Sequence, residues 1–595
     1  MQAPVVFRRS LFAATSFLLL LTLLSAAPVT AATPADPAFR DFDLWLGRFL
    51  AARASGDAAS ASSLAGEEGV ALARARKHAW LRLARTDPRQ ALAQALRPSV
   101  IQGLPPAIQE ESEAYVDACG GEFGVFVGDD FSQESAPVSR VTRTLTVGKR
   151  TYEAQVFGRR LGTPSKAIHA NGVVLGNVIV LYESPVRRME TEEAAADPTV
   201  RAKCGAPGPA CIAVKVGAQT LVFGSEASLR KHETALEKEE AILGLQRPAG
   251  REEALHPLVP PAVEDEPSPS SVWTTGEKTV LYIRVDMSDR PGDPVAAATV
   301  QNTMDVAVND FYKGTSYNKT SLRTTVIPTV RLPRTAAEYD AIGDGQLMTD
   351  AIAAARAAGH DIAAYNLYIV AFPSLSYGYS GKASVGRARV WLNGSFGSGV
   401  TAHELGHNYG VFHANLWRTT DGSVIGPGAN VEYGNVFDVM GRGGIRGQLG
   451  AWFKTRLDWL LPAEYTTVSS SGTFRIGAID DPAETGLRAL KIVKSADRNY
   501  WVEFRRAFTT NRWAMNGAVL NWGYNTNTGS HLLDVTPNSA DSQNDAPLLV
   551  GRTFSDTASG IHVTAVARTA TPASMDVVVK LGTFPGNTPP AASLA

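Results

Sequence analysis

His403-Glu404-Leu405-Gly406-His407-Asn408-Tyr409-Gly410-Val411-Phe412-His413 is the run from which the rest of the chain is read. On a helix, His403 and His407 are four apart, so both imidazoles project from one face, one turn apart. Two nitrogens so placed suit one tetrahedral zinc. Glu404 follows the first of them, beside the metal without having to ligate it, where an attacking water needs a base to take its proton. Gly410 is expected to end the helix, because glycine accepts the left-handed conformation that turns the chain sharply. His413 can then swing back as a third nitrogen ligand. Three protein ligands leave a fourth position open, the arrangement of a catalytic rather than a structural zinc.

The pattern H-E-x-x-H-x-x-G-x-x-H resembles the extended signature of the metzincin zinc endopeptidases, in which a methionine turn follows. Asp438-Val439-Met440-Gly441 is placed to be that turn, with Met440 as the apolar floor under the ligands. Glu432-Tyr433-Gly434-Asn435 and Leu457-Asp458-Trp459-Leu460 narrow the resemblance to the gametolysin family of secreted metzincins and its bacterial relatives. It covers residues 272–462 well. Some metzincins carry a tyrosine two residues after the turn methionine; here that position is Arg442, and Tyr433 is the candidate phenol for a transition-state donor. The resemblance implies an α+β metzincin-type protease domain, Zn2+ held by His403, His407 and His413, Glu404 as general base and acid, and protein or peptide substrates. Cell-wall or matrix glycoproteins are candidates among these.

The chain has 595 residues, too many for one domain. Its hydrophobic content of 44% and charged content of 19% describe a globular protein. A net charge of -1 gives no general drive towards nucleic acid or an anionic membrane. Arg8 and Arg9 precede a leucine-rich run from Leu11 to Leu24, followed by Ala27, Ala31 and Ala32. This reads as a signal peptide over 1–32, too short in its apolar part to span a bilayer comfortably. No later stretch is long and apolar enough to span. The mature protein is therefore expected to be secreted, extracellular or periplasmic, and monomeric.

Residues 37–97 read as helical, 110–224 as strand-rich and 226–245 as a charged helix. Together, 33–246 form the expected α+β propeptide, and the proline-rich, acidic stretch 247–271 an exposed linker. A hydrolase active during export is a hazard to its host, which favours a propeptide over an unrelated binding domain. Lys203-Cys204-Gly205-Ala206-Pro207 resembles the latency element of matrix metalloproteinase prosegments, where a thiolate fills zinc's open position. Ala202 and Gly208 depart from it. Cys204 can instead pair with Cys211 in an oxidising compartment, and Cys119 is the third cysteine. Both readings stay open at this point.

From Val272 strands alternate with helices: Thr279 to Asp286, a helix over 296–312, Thr324 to Leu332, a helix from Gln346 to Ala358, Asn366 to Phe372, and strands within Lys382 to Leu392. Ser398 is the expected cap of the zinc helix. Gly381 to Arg389 is the candidate edge strand on which a substrate would pair. Residues 463–583 carry eight short strand-like segments, expected to form an all-β sandwich-like domain, with a loose tail over 584–595. Trp501, Trp513 and Trp522 are candidates for sugar contact or core. Asp534, Asp541 and Asp545 are candidates for Ca2+ or simply solvated carboxylates. A reading of a different class is a secreted adhesin or carbohydrate-binding protein with a non-catalytic metalloprotease-like domain. Chains of that kind usually lose a ligand or the glutamate; this one keeps all four.

Overall fold

A computed structural model describes residues 36–130, 138–204, 211–245, 273–524 and 529–584. The expected signal peptide, the linker and the C-terminal tail from 585 lie outside the described residues.

The described chain starts helical. Asp36 accepts a hydrogen bond from the Ala38 amide and Pro37 supplies a first position that needs no donor, so a helix runs over Pro37–Ala54. Phe42, Trp45 and Phe49 recur at three and four residues along it. They bury against Ala73 of the helix Glu67–Thr86 and against Leu104 and Ile108. Then comes a long strand, β1 (Ala114–Asp130), in which Phe123, Val125 and Val127 alternate into the core. β1 pairs antiparallel with Lys166–Leu175 along its first half and with Val138–Val147 along its second. A charged helix follows at Glu226–Leu245, as the sequence indicates.

The next region builds on β2 (Gly276–Asp286), β3 (Thr320–Val326), β4 (Leu367–Phe372), β5 (Gly381–Ser384) and β6 (Arg389–Asn393). Their order is β3-β2-β4-β6-β5, parallel except for β5, which runs antiparallel to β6. All of β4 is buried, the composition of a parallel strand covered on both faces. One face packs on Val300, Met304, Val308 and Tyr312, the other on Leu347, Met348, Ala351 and Ala355 of the helix Asp344–Ala357. The strand expected over Thr324 to Leu332 begins earlier and is broken. Ladder pairing stops at Val326 and resumes for Val330–Arg331, because Pro328 has no amide to donate. β1 extends this sheet beyond β5, so one eleven-stranded sheet draws strands from both sides of residue 246.

Two further sheets enclose one core over the C-terminal region. The larger runs Gly428–Val431, Ala414–Thr419, Ser530–Leu533, Gly517–Tyr524, Arg498–Phe504, Ala489–Val493 and Tyr465–Val468. The smaller is built from Gly472–Gly477, Ala573–Leu581, Ile561–Ala570 and Thr553–Asp556. Val502, Leu520 and Trp522 from one meet Val563, Met575 and Val577 from the other. The larger sheet also crosses residue 462, since two of its strands, Ala414–Thr419 and Gly428–Val431, precede it. Leu548–Leu549 and Thr553–Asp556 are separate strands, the first pairing with Gly517–Tyr524 and the second with Ile561–Ala570. Trp501 and Trp522 are buried, which removes them as sugar contacts.

Asp556 supplies a stability test. It is buried and accepts from Tyr500 Oη at 2.7 Å, from the Ser559 amide at 3.1 Å and from Lys494 Nζ. Burial alone would raise its pKa, but these donors, Lys494 first, hold it down at about 2. The folded value lies below the ordinary one of 3.8. Its contribution is therefore complete above that pH and is lost as pH falls towards about 2. Asp556→Asn should cost roughly 1–3 kcal/mol, because Lys494 keeps a desolvated charge without its carboxylate. Thermal unfolding at neutral pH and at acid pH reads both, and the gap between wild type and variant should narrow in acid.

Candidate metal centre

The motif forms helix α1, Ser398–Tyr409, buried from Thr401 to its end. Gly397, not Ser398, caps it; Thr401 Oγ1 donates to Gly397 O at 2.9 Å and the Ser398 hydroxyl makes no cap bond. Gly410 takes φ +118° and its amide donates to His407 O at 2.9 Å, which ends the helix as glycine there should. Asn408 Nδ2 donates to Ser384 O and Arg389 O, both at 3.1 Å, and fixes α1 against β5 and β6.

His403, His407 and His413 converge with ring centroids 4.9–5.3 Å apart. Each Nδ1 faces an acceptor: Val439 O for His403 and Val411 O for His407, both at 2.8 Å, and Glu432 Oε1 for His413 at 2.5 Å. A carbonyl oxygen can only accept, so Nδ1 carries the proton in His403 and His407, and their Nε2 atoms point lone pairs inward. His407 Nε2 and His413 Nε2 stand 3.1 Å apart. With both rings neutral, their Nε2 lone pairs would meet there and a cation between them would satisfy both; Nδ1 acceptors are the usual outer support of metal-bound imidazoles.

A fourth group arrives from far upstream. Asp129, fully buried at the end of β1, has Oδ2 3.2 Å from Nε2 of both His403 and His407, and Oδ1 3.2 Å from His413 Nε2. One ligand atom from each of the four lies within 4.8 Å of the others, a set that can hold a metal ion. Among the described residues no second such set occurs, and Asp534, Asp541 and Asp545 are not gathered into one. Burial opposes charge on Asp129, yet the three imidazoles hold its pKa well below the carboxylate range. His407 is pushed down to about 4, chiefly by burial. In His413 burial is outweighed by Asp129 and Glu432, which raise it to about 9. These opposite shifts describe the site without a cation, and in both the neutral Nε2 is what a metal would engage.

Glu404 is fully buried and neither carboxylate oxygen receives a hydrogen bond. Burial first, and the Asp129 carboxylate second, push its pKa well up. The side chain lies against β5: a Cβ added to Gly381 would come within 2.3 Å of Glu404 Oε1. Glycine at 381 is thus what leaves room for the Glu404 carboxylate against β5. Met440 packs under α1, where a Cβ on Gly406 would meet its Sδ at 2.3 Å. The turn is fixed by Asp438 Oδ1, which accepts the Met440 amide at 2.9 Å, and by Met440 O, which accepts the Ala414 amide at 2.9 Å. Tyr433 is buried with its ring 4.2 Å from that of His413, and its hydroxyl donates to Asp129 Oδ1.

The structure therefore brings together His403, Glu404, His407, His413, Tyr433 and Met440. It does not bring Cys204. Cys204 and Cys211 form a disulfide with Cα atoms 6.1 Å apart, so the proposed latency thiol is corrected to half of a cystine with no thiolate to offer. Cys119 is exposed and lies outside that bond. Sequence reasoning missed Asp129 and gave Glu432 no role. The only local sign of Asp129 is a pair of acids, Asp129-Asp130, closing the apolar run from Phe123 to Gly128. Glu432 stands next to Tyr433 in the stretch already singled out.

A helix-borne pair of histidines, a third beyond a glycine turn and an adjacent unpaired glutamate define the site of a metallopeptidase. Residues 296–495 match the family model described as Gametolysin peptidase M11, so this part of the chain is gametolysin-like. The matched stretch contains the three histidines, Glu404 and Met440 and ends among the C-terminal strands. No curated protein matches the chain. Among solved structures, one titled "Structure of a chaperone-substrate complex" aligns at 14% identity over 24% of this chain and 26% of that one, with a TM-score of 0.17. That likeness carries no argument about fold.

Proposed function

We propose that this chain is a secreted zinc-dependent endopeptidase of metzincin type, acting on extracellular, cell-wall or matrix proteins. The observation that carries the reading is the convergence of three inward Nε2 atoms beside an unpaired buried carboxylate. When bound, zinc would supply the positive charge that polarises a scissile carbonyl and acidifies a water. Glu404 takes the proton of the attacking water and returns it to the leaving amine. Gly381 leaves room for that carboxylate at the edge of β5. The outer edge of β5, which β1 covers in the intact chain, would once free pair with an extended substrate as one more antiparallel strand. Tyr433, once its hydroxyl is released from Asp129, would donate to the developing oxyanion. Arg8, Arg9 and the Leu11 to Leu24 run support export, and the Cys204–Cys211 disulfide suits an oxidising compartment. No helix among the described residues is long and apolar enough to cross a membrane.

The test is cleavage of casein or gelatin by the chain after limited proteolysis of its N-terminal region. Activity should vanish with a chelator and return with added zinc. Chelator-resistant cleavage, or none under any treatment of a metal-loaded chain, would overturn the reading.

A further inference from the structure

The metal centre is closed by a residue from the far end of the chain. β1 runs along β5 in antiparallel register, with Phe126 opposite Ser384, Val127 opposite Ala383, Gly128 opposite Lys382 and Asp129 opposite Gly381. The Ser380 amide donates to Asp129 O at 2.8 Å and the Val385 amide to Val125 O at 2.9 Å. β1 therefore occupies the edge to which an extended substrate would add. Its side chains are seated as well. Phe126 meets Trp391 edge-on at 6.0 Å, with Lys382 Nζ 5.5 Å over its ring. Val125 and Val127 bury on the opposite face with Val385 and Phe412. At the end of this seated strand, the Asp129 carboxylate faces all three Nε2 atoms at 3.2 Å. A catalytic site needs that position open.

We propose that Asp129 is a fourth protein ligand of the metal, and that β1 is a built-in inhibitor which keeps the chain inactive until it leaves β5. The inference rests on the metallopeptidase reading and names the regulation of that same site. β1 lies as a substrate strand would lie, but presents a carboxylate where a scissile carbonyl would stand. Tyr433 donates to that carboxylate and so is itself withheld from catalysis. Cys204, locked in its disulfide, takes no part. Release breaks no covalent bond at the metal: a carboxylate leaves and a water takes its place.

The test uses the full chain loaded with Co2+, whose visible spectrum reports the ligand set, in wild type, Asp129→Ala and Asp129→Asn. The asparagine variant keeps the shape of the strand and guards against misfolding of the alanine variant. All three should bind about one equivalent of cobalt. Both variants should show a shifted spectrum and bind a small hydroxamate at least about tenfold tighter than wild type, since the competent fraction rises. Wild type cut between its N-terminal region and residue 273, and stripped of β1, should acquire the variants' spectrum. Identical spectra and hydroxamate affinity in wild type and variants, at equal cobalt content, would overturn the proposal. So would loss of cobalt from both variants, which would make Asp129 a permanent ligand. Failure of every form, cut or uncut, to bind cobalt would instead sink the metallopeptidase reading itself.

Discussion

Glu404→Gln, measured in chain freed of its N-terminal region, should retain its metal and lose about 10²–10⁴ in kcat/KM. The two halves of that expectation have separate causes. Metal retention follows because the donors converging on the site are the three Nε2 atoms, with Asp129 as a fourth in the intact chain; Glu404 is not among them. Glutamine fills the same volume against Gly381, where the fit is too close for a larger change. Loss of activity follows because an amide cannot take a proton from water near neutral pH. The size is that of one general base, since substrate positioning on β5 is untouched. Metal content by elemental analysis and turnover of a fluorogenic peptide together decide it. Turnover within about tenfold of wild type at full metal content would remove Glu404 from its role.

How far the sequence reaches depends on whether an effect is local. The spacing of His403, His407 and Gly410 fixes α1 and its end, because helix period and left-handed glycine are properties of neighbouring residues. The runs at Thr279 to Asp286 and Asn366 to Phe372 read as strands for the same reason. Cap and register details fail sooner: Ser398 loses the cap to Gly397, and Pro328 splits a strand that composition alone reads as continuous. Long-range pairing is illegible. Nothing in Phe126-Val127-Gly128-Asp129 announces that it will lie beside residues 381–384, because an antiparallel ladder is specified by faces and partners and not by a motif. The sequence points to latency only through a cysteine, whose metal chemistry has a sequence signature. An aspartate near the end of a strand has none. The boundaries near 246 and 462 look clean in composition, yet sheets cross both, since hydrogen-bonded edges join wherever two units each present one.

Glu432→Ala should weaken metal binding by about 10–100-fold, the usual cost of removing the carboxylate behind a ligating imidazole. His413 is the ligand least constrained by α1, because it lies beyond the Gly410 turn. Its ring is held from behind, by Glu432 Oε1 on Nδ1 at 2.5 Å. Glu432 in turn accepts from Asn430 Nδ2 at 2.7 Å, and Asn430 Oδ1 meets His531 Nε2 at 2.9 Å. His531 belongs to the strand Ser530–Leu533, which pairs in parallel with Ala414–Thr419 directly after His413. The third ligand is thus oriented from the C-terminal sheet, whereas the first two are oriented by α1 and the methionine turn. The Glu432 side chain is 36% exposed, so water can replace part of its support, and the effect belongs below that of deleting a ligand. Glu432→Gln, which still accepts from Nδ1, should fall between alanine and wild type. Competition with a chromogenic chelator, on full-length and cut chain alike, gives the dissociation constants. If alanine binds metal as tightly as wild type, His413 is held by the backbone turn alone, and the C-terminal sheet has no part in shaping the site.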